Sequence, residues 1–218
     1  MGENHLSKPC NGVPAINNLL LYEPHNMLIS GVTNSGKTHF ILDLLENEYR
    51  HKFDYIVILC PTYFNNTTYD RKWIYTDKKV LILNPSAIER SLDLPLYFAR
   101  ETFKDSNTLF IIDDCANLHD TKKKVSELCH LAFSGRHYGL TVWVLNQKYN
   151  SVVKDFRENI RVLVLFFNKD EKAMKQALEE NHIIPKEKNN EIITQLKKQK
   201  GSKLILRLEQ PVRYAIIN

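Results

Sequence analysis

The stretch Gly31-Val32-Thr33-Asn34-Ser35-Gly36-Lys37-Thr38 constrains this 218-residue chain more than any other. It follows the apolar run Met27-Leu28-Ile29 and opens the helix-patterned segment Phe40-Ile41-Leu42-Asp43-Leu44-Leu45. Glycines at both ends let the backbone curl, so that successive N–H groups and the positive end of the following helix face an anion. The spacing is that of a phosphate-binding loop between a strand and a helix. In that reading Gly31, Asn34, Ser35 and Gly36 form the backbone cradle. Lys37 reaches the β and γ phosphates of a nucleotide, and the Thr38 hydroxyl addresses Mg²⁺.

The rest of the chain alternates in a way that suits such a loop. Apolar strand patterns at 26–30, 54–60, 79–83, 109–112, 141–145 and 161–167 are separated by helix patterns at 37–50, 86–103, 121–133 and 151–158. Strands separated by helices predict an α/β fold with a mostly parallel, doubly wound sheet. Residues 1–25, with Pro9, Gly12, Pro14 and Pro24, read as an N-terminal arm laid over a domain of residues 26–218. Within that domain, 26–168 is the core. A C-terminal extension, 169–218, carries a helix at 170–180, a basic helix at 186–199 and a strand hairpin at 203–208 and 212–217.

Composition narrows the classes less sharply. The formal charge of +5 favours an anionic partner without identifying it. The four cysteines, Cys10, Cys60, Cys115 and Cys129, form no CxxC pair and read as reduced thiols. With no apolar run of about 18 residues and no apolar leader, the expectation is a soluble intracellular protein with no membrane segment.

A phosphate loop needs an acid on the other side of the metal, at the carboxyl edge of the sheet. The run Leu109-Phe110-Ile111-Ile112 ends in Asp113-Asp114. Asp113 is the expected metal acid. Asp114, pointing elsewhere because side chains diverge along an extended strand end, is free to address a water. The strand at 141–145 ends in Asn146-Gln147, an amide placed to meet a γ-phosphate. Before that strand, Ser134-Gly135-Arg136-His137-Tyr138-Gly139 makes a tight connection that displays Arg136.

Taken together, GVTNSGKT, LFIIDD and SGRHYGLTVWVLNQ resemble the HerA–FtsK superfamily of DNA-pumping ATPases. Within it, PTYFNNTTY after the second strand and FRENI after the glutamine are similar to the genome-packaging ATPases of large double-stranded DNA viruses, virophages and related elements. The resemblance covers residues 26–168. It implies a RecA-like core working as a homo-oligomeric ring, a pentamer or hexamer, with ATP at subunit interfaces, duplex DNA in the pore, and capsid or portal-vertex proteins as partners. It further implies that Lys37 and Thr38 bind ATP and Mg²⁺, Asp113 holds the metal, Asp114 polarises the attacking water, Gln147 senses the γ-phosphate and Arg136 completes the neighbour's site. The superfamily commonly has glutamate where this chain has Asp114. The implied location is the host cell cytoplasm, a viral factory or the virion.

Three stretches are candidates for DNA contact: Lys122-Lys123-Lys124, the aromatic and amide loop from Tyr63 to Tyr69, and the basic tail from Lys186 to Lys203. Two alternatives share the phosphate loop. One is a plasmid or cellular DNA pump of the same superfamily; the other is a small-molecule kinase, which would not need the second acid. A GTPase would want DxxG after its metal strand and a base-reading NKxD. Asp113-Asp114 is followed by Ala116 and Asn117, and Asn168-Lys169-Asp170 brings its acid one residue early, so it reads as a helix cap.

Overall fold

The computed structural model describes residues 19, 21–83, 101, 105–113, 133–181, 184–209 and 213–217. Strands β1 (Asn26–Ser30), β2 (Tyr55–Leu59), β3 (Val80–Leu83), β4 (Thr108–Asp113), β5 (Leu140–Asn146), β6 (Val162–Phe166), β7 (Lys203–Arg207) and β8 (Arg213–Ile217) form one eight-stranded sheet. Its order is β3-β2-β4-β5-β1-β6-β7-β8. The first six strands in that order pair in parallel, and β7 and β8 pair antiparallel beyond β6. The mostly parallel α/β sheet expected from the alternating pattern is present, and the C-terminal hairpin continues it.

Strands buried on both faces need continuous apolar runs, and β1, β4 and β6 supply them. Successive side chains point to opposite faces, so each strand feeds two cores. Leu28, Phe110, Val142 and Leu163 pack on one face with Phe156, Met174, Ala177, Ile192 and Leu196 from helices α3 (Lys154–Glu158), α4 (Glu171–Glu180) and α5 (Asn189–Lys198). Met27, Ile29, Leu109, Ile111 and Trp143 pack on the other with Ile41 and Leu42 of helix α1 (Lys37–Leu44). By the same alternation, Asp113 falls on the face of Leu109 and Ile111, which is the α1 face.

The single helix expected over 37–50 is divided. The α-helical part ends at Leu44, a π turn spans Leu45–Tyr49, and a 3₁₀ turn spans Arg50–Lys52. The wider turn rotates Leu45 and Tyr49 into the core. The Tyr49 hydroxyl donates to Leu21 O at 2.7 Å and accepts from Leu21 N at 3.0 Å, pinning the chain that leads into β1. Tyr49 also meets Trp143 edge to face, with centroids 5.4 Å apart. Beside them, buried His25 accepts from Trp143 Nε1 through Nε2 at 3.2 Å and donates through Nδ1 to Glu23 O at 2.9 Å. Burial holds the His25 imidazole well below its ordinary range, at about 4.

Asp170 caps α4, its Oδ1 accepting from Ala173 N at 3.1 Å, so Asn168-Lys169-Asp170 is a helix start, not a base-reading motif. A short helix α2 (Lys72–Thr76), which no sequence pattern announced, joins the β2 loop to β3. The helix patterns at 121–133 and, apart from Glu101, 86–103 lie outside the described residues save for the last residue of the first, Phe133. Among the described residues no helix is long and apolar enough to cross a membrane.

Candidate active site

The loop Gly31–Gly36 leaves β1 at the carboxyl edge of the sheet and enters α1. Two residues carry the curl: Asn34 at φ 61° and Gly36 at φ 100°. That left-handed backbone costs an ordinary side chain about 1–2 kcal/mol, and glycine or asparagine bears it best. Gly31 is required for a different reason: a Cβ there would lie 2.6 Å from Phe166 Cβ and 2.7 Å from Ser35 Oγ. The loop is thus seated on the end of β6. Ser35 Oγ is buried and makes no hydrogen bond within the protein. The Lys37 ammonium donates to Gly31 O at 2.7 Å and Val32 O at 3.0 Å, bridging across the curl.

Strand order sets what stands beside the loop. β5 lies between β1 and β4, with Ser30 opposite Asn146 and Leu145 opposite Asp113. Gly31 N donates to Asn146 O at 3.1 Å, which ties the start of the loop to the end of β5. The Thr38 hydroxyl donates to Asp113 Oδ2 at 2.8 Å, joining two residues 75 positions apart. Thr38 and Asp113, proposed separately from the sequence, therefore meet in space. Asp113 is buried, and the same Oδ2 accepts from the Tyr69 hydroxyl at 2.7 Å. Burial, and then the charge of Asp113, push the Tyr69 phenol well above its ordinary range, so it stays a donor.

Gln147 follows β5 directly. Its N–H donates to Asn146 Oδ1 at 2.6 Å and its carbonyl accepts from Asn168 Nδ2 at 3.2 Å, so its backbone is fixed between the ends of β5 and β6. Arg136 lies in a 3₁₀ turn, Arg136–Tyr138, that leads into β5. Gly139, at φ 72°, closes the turn where a Cβ would stand 2.6 Å from Ser106 O. Asp114 and Lys122-Lys123-Lys124 lie outside the described residues.

In the loop from Tyr63 to Tyr69, a candidate for DNA contact, Tyr63 and Tyr69 are buried, and among its three aromatics Phe64 alone is exposed, at 82%. The apolar rings make contacts within the segment, Tyr63 meeting Tyr69 with centroids 5.2 Å apart. Arg71, just beyond, binds Asp43 Oδ1 of α1 at 2.6 Å and Glu46 Oε2 of the following π turn at 2.5 Å. Sequence reasoning missed Tyr69, Phe166 and Arg71, since each acts on a partner that only the folded sheet brings near.

A hydroxyl and a carboxylate are hard oxygen donors that suit Mg²⁺, with phosphate oxygens and water completing the shell. Among the described residues no group of three or more His, Cys, Asp or Glu side chains could hold a metal by itself. Thr38 and Asp113 bring two such oxygen donors together at the mouth of the loop.

The sheet order and the loop define a P-loop α/β domain of the kind found in genome-packaging NTPases. Over 89% of this chain and 97% of the other, the fold matches the genome packaging NTPase B204 of Sulfolobus turreted icosahedral virus 2, solved with ATP-gammaS, at TM-score 0.61 and 12% identity. It also matches the pCW3 conjugation coupling protein TcpA, with TM-score 0.58 and 16% identity over 89% of this chain and 60% of that one. At the level of sequence, the model of the Poxvirus A32 protein family matches residues 15–213, and the chain belongs to that family. The DNA packaging protein OPG160 of Variola virus is 29% identical over 152 residues, 65% of this chain and 52% of that protein. Its Monkeypox virus counterpart is 26% identical over 144 residues, 65% of this chain and 47% of that protein. The chain spans about half the length of the curated relatives it matches.

Proposed function

We propose that this chain is an ATP hydrolase that drives double-stranded DNA and packages a viral genome into its capsid. The observation that carries the reading is the 2.8 Å bond between Thr38 Oγ1 and Asp113 Oδ2 at the mouth of the phosphate loop. A glycine turn with an idle lysine has no reason to face a buried acid from a strand two places away in the sheet. The relatives' name, DNA packaging protein, supplies the cargo. The fold's match to a packaging NTPase solved with ATP-gammaS supports ATP as the nucleotide.

In this reading the backbone N–H groups of Asn34, Ser35 and Gly36 receive the β-phosphate. The Lys37 ammonium exchanges its two loop carbonyls for β and γ oxygens. Thr38 and Asp113 hold Mg²⁺, which when bound offsets charge on the phosphates. Asp114 polarises the attacking water, and Gln147 reads the γ-phosphate from its fixed place after β5. Arg136, on its short turn, completes the site of the adjacent subunit in a pentameric or hexameric ring. The ring encircles duplex DNA and docks on capsid or portal-vertex proteins, in the host cytoplasm or a viral factory.

The test is ATP turnover with and without linear duplex DNA. Turnover that requires Lys37 and rises on adding duplex supports the reading. Turnover indifferent to duplex, or stimulated by a small-molecule phosphate acceptor, contradicts it and favours a kinase.

A further inference from the structure

The segment after β2 is fastened at two points around the phosphate loop. Tyr69, with no exposed surface, donates its hydroxyl to Asp113 Oδ2 at 2.7 Å. Two residues on, Arg71 grips Asp43 of α1, the helix that carries Thr38, and Glu46 of the π turn that follows it. Between β2 and these anchors run two 3₁₀ turns, Tyr63–Asn65 and Thr67–Tyr69. Asn66 Oδ1 accepts from Thr68 N at 3.1 Å and caps the turn that presents Tyr69.

Two hydroxyls, from Thr38 and Tyr69, therefore converge on one oxygen of Asp113. They come from different elements, α1 and the β2 loop. A carboxylate on a single rotatable strand-end side chain can swing; one oxygen held from two directions fixes its plane. Ring packing does not require this bond, since a phenylalanine would fill the same buried volume.

We propose that Tyr69 is a positioning residue for the metal side of the site: it holds the Asp113 carboxylate in the orientation in which it meets the metal of a metal–nucleotide complex. The inference rests on the reading of Thr38 and Asp113 as that metal side. Groups that orient a ligating carboxylate are worth about 10–100-fold in metal affinity when removed.

The experiment measures Mn²⁺ affinity by electron paramagnetic resonance at saturating ATPγS, and ATPγS affinity in EDTA, for the native chain, Tyr69→Phe and Asp113→Asn. Tyr69→Phe is expected to weaken Mn²⁺ binding by about 10-fold or more and to leave metal-free ATPγS affinity as in the native chain. Combined with Asp113→Asn, it should add no further loss. Unchanged Mn²⁺ affinity in Tyr69→Phe overturns the proposal, as does an equal fall in metal-free nucleotide binding, which would mark a packing role. If Tyr69→Phe does not fold, Asn66→Ala decides: it loosens the presenting turn without touching the ring, and should weaken Mn²⁺ binding in the same direction, while native affinity overturns the proposal. If the native chain itself binds ATPγS with no dependence on metal, the site reading fails, and this inference with it.

Discussion

Gly31→Ala should cost the chain both stability and nucleotide. The added Cβ would stand 2.6 Å from Phe166 Cβ and 2.7 Å from Ser35 Oγ, where carbon atoms in contact need close to ~4 Å. Phe166 cannot swing aside to relieve this, because the clash is with its first side-chain carbon, whose place is set by the β6 backbone. The strand or the loop must move instead. Overpacking of this kind costs about 1–3 kcal/mol, and a domain of this size loses about 2–4 °C per kcal/mol, giving a fall in Tm of roughly 2–12 °C. Gly36→Ala is the informative contrast. Its Cβ would meet only Phe166 Cε1 at 3.7 Å, so space is ample, but φ of 100° is strained for alanine. Its cost is therefore backbone strain of about 1–2 kcal/mol, without displacement of β6. Thermal unfolding and ATPγS titration of the two variants check this. Phe166→Ala should not rescue Gly31→Ala, since the offending Cβ remains. A Gly31→Ala protein with native Tm and native ATPγS affinity would refute the seating of the loop on Phe166.

Asp114→Asn keeps shape but removes the base, so ATP should still bind while hydrolysis falls by about 10²-fold or more; single-turnover assays check it, and surviving turnover assigns the water to another residue. Lys37→Ala should fail at binding and Arg136→Ala at hydrolysis, where an arginine supplied by a neighbour is worth about 10³–10⁵ in rate. Mixing the two inactive proteins should restore part of the ATPase activity; co-assembly by light scattering with no recovery places Arg136 within its own subunit. His25, ordinarily near 6.5 and held at about 4 by burial, binds its proton more readily unfolded than folded. Its contribution is present above about pH 6.5 and is lost as pH falls toward 4, up to about 3 kcal/mol. Denaturant unfolding of the native chain and His25→Gln across that window measures it, and equal pH slopes would dismiss the burial argument.

Much of the fold was legible because its signals are local. The apolar run 109–112 is long enough to demand burial on both faces, and β4 is buried throughout. The phosphate loop announced its own strand and helix, and β1 and α1 flank it. What stayed hidden depends on partners distant in sequence. The π turn at Leu45–Tyr49 exists to place Tyr49 against Leu21 and Trp143, a need that no helical periodicity records. In the stretch Tyr63 to Tyr69, aromatics and amides resemble a surface for bases, yet the chain turns Tyr69 inward to an acid 44 residues away. Composition is the same in either case; only the pairing of β2 with β4 brings the end of that loop to Asp113. The helix cap at Asp170 was legible because capping chemistry lies within four residues.

The central claim is that the loop at 31–38 and Asp113 form one site for a metal–triphosphate complex. Calorimetric titration of ATPγS into the native chain and into Asp113→Asn, each in Mg²⁺ and in EDTA, tests it most directly. In the native chain Mg²⁺ should tighten binding by about 10-fold or more; in Asp113→Asn the two titrations should nearly coincide, at the affinity the native chain shows in EDTA. Equal tightening by Mg²⁺ in both proteins would contradict the claim, for the metal would then be held without Asp113.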